Sequence, residues 1–411
     1  MGFSARIRRL PRNVWAASLT SFFMDISSEM VINILPLFLA NVLGVRTSVI
    51  GLIEGIAEAT ASLLKLFSGW LSDRLRARKW LAVAGYGLSA LAKPFFLIAN
   101  SWGAVLGARW ADRIGKGIRT APRDALLADS VDESQRGLAF GLHRAADTGG
   151  AMVGLIIALG LVWGAQAAAV KLGADTFRLV VWVSLLPAVL AVLSLALGAR
   201  EVKVAGKKAA PPKITFRGLG KNFLTFMVIV SIFDLGNSSD AFLILRAQER
   251  GLNVLGVLGM LITFNLIYAL LSTPAGDLSD RIGRKRLIVG GWLVYAAIYL
   301  GFALAGAGWH VWVLYALYGV YYALAYGSTR AMLADIVPVE LRGTAYGTYN
   351  GVLGILDFPA SLIAGLLWQG VGPWHGFGAP APFLFGAVLS LAAAVLMMAW
   401  KPRPVAEAPS A

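Results

Sequence analysis

Apolar runs of roughly twenty residues recur along the whole chain, each closed off by a short polar or Gly- and Pro-containing segment. A run of that length crosses a hydrocarbon core about 30 Å thick at about 1.5 Å per helical residue. The pattern predicts twelve spans, at 15–41, 47–71, 79–99, 101–128, 136–163, 176–198, 222–246, 254–278, 286–306, 309–334, 343–368 and 380–400. The longest polar interruption, REVKVAGKKAAPPKITFRGLGK at 200–221, divides them six and six and reads as a linker. The expected architecture is an all-α polytopic membrane protein. Its expected parts are a six-helix bundle over 1–199, a cytoplasmic linker over 200–221, a second bundle over 222–400 and a tail over 401–411.

Composition removes the alternatives. A mean hydropathy of +0.70 with 14% charged residues does not fit a water-soluble surface. The net charge of +15 would suit nucleic acid, but the cations sit in alternate loops: Arg74, Arg78 and Lys79, then Lys203 to Lys221, then Arg281 to Arg286. That is the distribution of a protein oriented with basic loops inward, so no nucleic-acid partner is implied and both termini are expected to be cytoplasmic, in the cell's inner (plasma) membrane. The first span carries Asp25 and Glu29 and lacks a small-residue cleavage site, so it is expected to be an uncleaved helix despite the basic residues before it. With no cysteine and three scattered histidines, neither disulfide nor metal cluster is expected, and no cofactor. A GxxxxGK[ST] nucleotide loop and a nucleophile triad are missing as well, which speaks against an enzyme.

The chain repeats itself. GWLSDRLRARK at 69–79 returns as GDLSDRIGRKR at 276–286, so Gly69 and Asp73 recur 207 positions on as Gly276 and Asp280. Arg136, Gly137 and Gly141 recur 206 positions on as Arg342, Gly343 and Gly347. FMDISSE at 23–29 echoes FDLGNSSD at 233–240, and RDALLADSVDESQRG at 123–137 echoes RAMLADIVPVELRG at 330–343. Four pairs in one order imply internal duplication, and hence two homologous six-helix bundles.

GDLSDRIGRKR resembles the cytoplasmic loop signature of the major facilitator superfamily throughout, and GWLSDRLRARK resembles it with Arg76 where glycine is usual. The resemblance covers essentially the whole chain. It implies twelve helices in two pseudo-symmetric domains around a central cavity, and a latch role for the two loops. The candidate cytoplasmic gate is Gly69, Asp73, Arg74, Gly276, Asp280, Arg281, Gly283 and Arg284, with Arg136 and Arg342. DRIGKGIRTAPRDALLADS at 112–130 is similar to a prokaryotic efflux-like subgroup of mostly unassigned substrate. The GxxxGPxxGG pattern of drug antiporters is only partly matched, because GLHRAADTGGAMVGL has Asp147, Gly149, Gly150 and Gly154 but no proline.

Ionisable residues inside the spans are the costly ones, at about 2.5 to 3.5 kcal/mol each near helix centre, so they should face a cavity or a partner. At 100° per residue Asp25 and Glu29 share a face of the first span, and Glu54, Glu58 and Lys65 share one on the second. In the fourth span Arg109, Asp112, Arg113, Lys116, Arg119 and Arg123 fall in one sector. Asp25, Glu29, Glu54, Glu58 and Asp147 are the candidate proton carriers. Arg109, Arg113, Lys116, His143, Asp234, Asp240, Tyr322, Tyr326 and Asp357 are the candidate cavity residues. Two roles stay open for the acids and bases: a fixed network that neutralises the first bundle, or a set in which a carboxylate changes partner and carries a proton.

The expected activity is secondary transport of a small-molecule substrate across a lipid membrane by alternating access, as proton-coupled export. Proton-coupled uptake of a small organic anion is the alternative, favoured by the basic face of the fourth span. A non-transporting membrane sensor would have no need of duplicated latch loops.

Overall fold

The computed structural model describes residues 7–75, 77–167, 169–202, 215–338 and 341–401. The side chains at 133, 134, 273, 275–281, 326, 327, 334 and 343 fall outside the described residues, as does Arg76 altogether. The described residues form helices and connecting turns. In chain order the helices are α1 (Arg12–Ile32), α2 (Leu35–Asn41), α3 (Thr47–Leu75), α4 (Arg78–Ala92), α5 (Phe95–Ile98), α6 (Trp102–Ala128), α7 (Glu133–Gln166) and α8 (Ala174–Gly198). They continue as α9 (Gly220–Leu235), α10 (Ala241–Glu249), α11 (Val254–Ile282), α12 (Arg284–Leu304), α13 (Gly308–Asp335), α14 (Arg342–Gln369) and α15 (Ala381–Ala399).

Each of the twelve predicted spans is occupied by helix, and three of them are broken. Pro36, in the first turn of α2, and Pro94, just ahead of α5, each lack a backbone N–H and interrupt the first and third spans. The seventh span breaks between α9 and α10 at Gly236–Asp240. Among the described residues eight helices or helix pairs are long and apolar enough to cross a membrane by length and composition. α6 falls short of that test because it carries Arg109, Asp112, Arg113, Lys116, Arg119, Arg123 and Asp124. It can lie at membrane depth only with those groups turned toward the protein or a water-filled cavity.

The helices gather into two compact units. One comprises Met1–Val45, Ile56–Pro212 and Asn253–Ile262; the other comprises Arg46–Gly55, Lys213–Leu252 and Thr263–Ala411. In the first unit α1 packs against α7 and α8, and α4 against α6. In the second, α12 packs against α13 and α15, and α9 against α14 and α15. The opening turns of α3 belong to this second unit: the Thr47 N–H donates to Gln369 Oε1 at 2.7 Å, and a Cβ on Gly365 would come within 2.5 Å of Thr47 O.

The crossing of α1 and α7 is a backbone-to-backbone approach. A Cβ at Gly154 would lie 2.5 Å from Ile26 O, and Gly150 is pressed in the same way on Phe22. Small residues four apart let two helices meet this closely. The turn before α12 requires glycine for a different reason, since Gly283 has φ +90°, a left-handed value that L side chains rarely adopt.

Gly154→Leu is expected to destabilise the protein by about 1–3 kcal/mol through overpacking. Gly137→Ala, whose Cβ would meet nothing within 4 Å, is expected to leave stability unchanged or slightly raised. Thermal unfolding of the purified protein in detergent compares the two; equal melting would contradict the packing assigned to the α1–α7 crossing.

Candidate functional site

The polar interior of the first unit is organised by α6. Arg109 and Arg113 are buried and turned onto one carboxylate, that of Glu58 on α3, at 3.6 and 2.9 Å. Nearly two turns on, Arg119 donates to Ser89 Oγ at 2.6 Å and lies 4.5 Å from the Tyr86 ring, both on α4. Ser89 Oγ in turn donates to the Asp112 carbonyl at 2.9 Å. Arg123 reaches Asp124 at 2.8 Å, Ser21 Oγ at 3.0 Å and Tyr86 Oη at 3.3 Å. The α6 sector read from the sequence thus presents most of its cations to partners on α1, α3 and α4. Lys116 is an exception in burial, being exposed.

A second strand of this network runs through α7. His143, 4% exposed, shares a hydrogen bond with Ser21 Oγ at 2.9 Å through Nε2, while Nδ1 faces Asp147 Oδ2 at 3.7 Å. Ser21 therefore stands between His143, Tyr86 and Arg123. The close α1–α7 crossing brings these groups together.

The other predicted acids divide by environment. Glu29 accepts from Asn33 Nδ2 at 2.7 Å, one turn along α1 and its C-cap. Glu54 is buried at 4% exposure. Asp25 is half-buried and makes no side-chain hydrogen bond or ion pair within 4.0 Å among the described residues. Sequence reasoning passed over Lys93, which follows α4 at the Pro94 break. It is 3% exposed and donates to Ser28 Oγ at 3.2 Å. Its position next to a proline was the available signal, since a helix interrupted at membrane depth has backbone groups to satisfy.

In the second unit Asp234, Asp240 and Asp357 are half-buried. Asp234 closes α9, Asp240 stands at the entry to α10 and accepts from Tyr318 Oη at 3.3 Å, and Asp357 is on α14. Tyr322 meets Tyr268 edge-on at 6.1 Å between centroids. Trp292 lies fully buried and stacked on Phe233 at 4.8 Å. The Tyr326 side chain falls outside the described residues.

The basic loops are built on a duplicated clamp. At the start of α4, Arg78 forks to Asp73 at 3.1 Å, to the Ala125 carbonyl at 2.9 Å and to Asp129. At the start of α12, Arg284 binds the Ala331 carbonyl at 2.7 Å and Asp335 at 2.5 Å. All three positions of the second set, Arg284, Ala331 and Asp335, lie 206 residues beyond those of the first. The first clamp ties the start of α4 to the far end of α6, and the second ties the start of α12 to the far end of α13. Asp73 is thus engaged within its own unit. Arg74 lies over the Trp70 ring at 5.3 Å, and Gly69 faces Ala121 of α6. Arg136 and Arg342 are exposed, and the side chains of Gly276, Asp280 and Arg281 fall outside the described residues.

Membrane-length helices around a buried charge network define a polytopic helical membrane protein. The model of the Major Facilitator Superfamily matches residues 17–261 and 224–411, so both halves are covered. An uncharacterized MFS-type transporter of Methanocaldococcus jannaschii is 37% identical over 404 residues, 95% of each chain. A Na(+), Li(+), K(+)/H(+) antiporter of Planococcus maritimus is 28% identical over 119 residues, 28% of each chain. Among solved structures the nucleoside transporter NupG superposes with a TM-score of 0.74 at 14% identity, over 94% of this chain and 98% of that one, which speaks for the fold. The chain belongs to the major facilitator superfamily, and its activity is secondary transport.

Arg78→Lys keeps the charge but not the fork, since an ammonium on a flexible stem cannot hold two carboxylates and a carbonyl in one plane. It is expected to cost about 1–3 kcal/mol, less than a fully buried pair because Asp73 and Asp129 are each about one-third exposed. Thermal melting of the variant beside wild type measures this; a lysine variant as stable as wild type would show that the fork carries no weight.

Proposed function

We propose that the protein exports a small solute in exchange for protons. The observation that carries this reading is the unequal partnering of the first unit's carboxylates. Glu58 is held by Arg109 and Arg113, and Glu29 by Asn33, whereas Asp25 on the same α1 face has neither hydrogen bond nor ion pair among the described residues. A half-buried carboxylate without a fixed counter-ion is the group in this unit best able to bind and release a proton as its surroundings change. Asp147 beside His143 offers a second, less open position. The partial likeness to a cation/proton antiporter supports exchange as the direction of coupling. Uptake of an anion is less well supported, because Glu58 already sits on two of the arginines that would hold one.

In this reading the basic loops and both termini face the cytoplasm, the protein lies in the cell's inner membrane, and the two bundles are divided by the 200–221 linker. Arg78 with Asp73 and Asp129, and Arg284 with Asp335, brace the cytoplasmic ends of the helices as the two states interchange.

Reconstituted vesicles with an imposed pH gradient test the coupling. Wild type is expected to accumulate a transported solute when the vesicle lumen is acidic, and Asp25→Asn to lose accumulation while retaining solute-for-solute exchange. Glu58→Gln, which leaves two buried arginines without their carboxylate, is expected to lose both together with stability. Full gradient-driven accumulation by Asp25→Asn would remove Asp25 as the carrier.

A further inference from the structure

The second half of the chain has a charge problem that the first does not. Its predicted spans contain Asp234, Asp240 and Asp357, yet no Lys or Arg occurs between 222 and 245, 254 and 280, 287 and 329, or 343 and 400. The one cation within its helices near these positions, Arg246, is spent elsewhere. It binds the carbonyls of Phe302 and Ala303 at 2.9 Å each and pairs with Glu249. Asp234 Oδ2 is closed off from solvent and has no hydrogen-bond partner, and Asp234 has no ion pair among the described residues. Carboxylates at membrane depth are costly unless something positive meets them.

Around the α9–α10 break the chain supplies aromatic faces instead of cations. Tyr295 and Tyr318, both fully buried, donate to Asn237 Oδ1 at 3.2 and 3.4 Å, which fixes the five-residue break against α12 and α13. Tyr318 also donates to Asp240. Above this bed Tyr322 stands edge-on to Tyr318 at 5.0 Å and to Phe264 at 5.5 Å, and both Tyr322 and Phe264 keep partial exposure. Phe233, one residue before Asp234, packs on Tyr295 at 4.9 Å and Tyr321 at 6.1 Å. The negative faces of such rings, held by one another and by the break, attract a desolvated cation.

We propose that the aromatic and acidic face around Asp234 binds the transported solute through a positively charged, weakly hydrated organic group such as a quaternary or bulky ammonium or phosphonium centre. This rests on the reading of the chain as an exporter and names its substrate class. Asp234, with Asp357, supplies the counter-charge, and Tyr322 and Phe264 supply the ring faces. A small hydrated metal cation fits less well, because most of the surface on offer is ring carbon rather than oxygen.

The test is equilibrium binding to the purified full chain in detergent at fixed pH, read by intrinsic fluorescence. The probes are tetraphenylphosphonium and tetraphenylborate, ions of the same shape and opposite charge. Wild type is expected to bind the phosphonium saturably and the borate at least about tenfold more weakly, a difference that one unpaired carboxylate supplies readily. Asp234→Asn is expected to weaken phosphonium binding about tenfold or more. Tyr322→Phe, which keeps the ring, is expected to bind as wild type does, and Tyr322→Leu several-fold more weakly. Where Asp234→Asn fails to fold, Asp357→Asn serves in its place. Equal affinity for the two ions, or unchanged phosphonium affinity in the aspartate variant, overturns the proposal. Asp25→Asn is expected to keep saturable phosphonium binding but to lose its dependence on pH, so a failure of proton coupling and a failure of cation recognition give different results.

Discussion

Everything in the first unit follows from one electrostatic constraint: a helix with seven charged residues can lie at membrane depth only if those charges are met. α6 is that helix, and its neighbours are arranged around it. α3 supplies Glu58 to Arg109 and Arg113, α4 supplies Ser89 and the Tyr86 ring to Arg119, and α1 supplies Ser21 to Arg123. Close helix crossings serve this arrangement. Where Gly150 and Gly154 let α1 lie on the backbone of α7, His143 comes within hydrogen-bond distance of Ser21 and joins the same network. Packing and polar satisfaction are therefore one requirement here, because neither is available without the other.

Much of this was legible in the sequence, and the residues show why. The α6 sector obeys helical periodicity, so 100° per residue placed its cations on one face, and the acids of α3 fell on one face by the same arithmetic. The repeat at 206 and 207 positions located both basic loops, and the loop signature marked Gly283, whose φ of +90° only glycine takes readily. What escaped depended on groups far apart in the chain. Ser21 and His143 are separated by over a hundred positions, and Arg78 was read as a loop anchor although its partner Asp129 sits beyond the next helix. The breaks at Pro94 and at Gly236–Asp240 were passed over although Lys93–Pro94 and the polar stretch 236–240 mark them, because hydropathy summed over a whole span is carried by the apolar residues on either side.

Duplication gave the two halves one scaffold and left their interiors free to diverge. The arginine clamps at Arg78 and Arg284 repeat down to the carbonyl they bind. The polar contents do not repeat. The first half pairs acids with bases, while the second sets Asp240 against Tyr318 and has no Lys or Arg at 222–245, 254–280, 287–329 or 343–400 to meet Asp234 and Asp357. On the account developed above, the first half handles the proton and the second the charged head of the solute, so that each half contributes one of the two exchanged ions.

That division is tested most directly by the proton count on solute binding. Tetraphenylphosphonium added to the purified protein in lightly buffered detergent solution should release protons in step with cation binding, and Asp25→Asn should bind the cation without releasing them. Saturable cation binding by the wild-type protein with no change in proton occupancy would contradict the account.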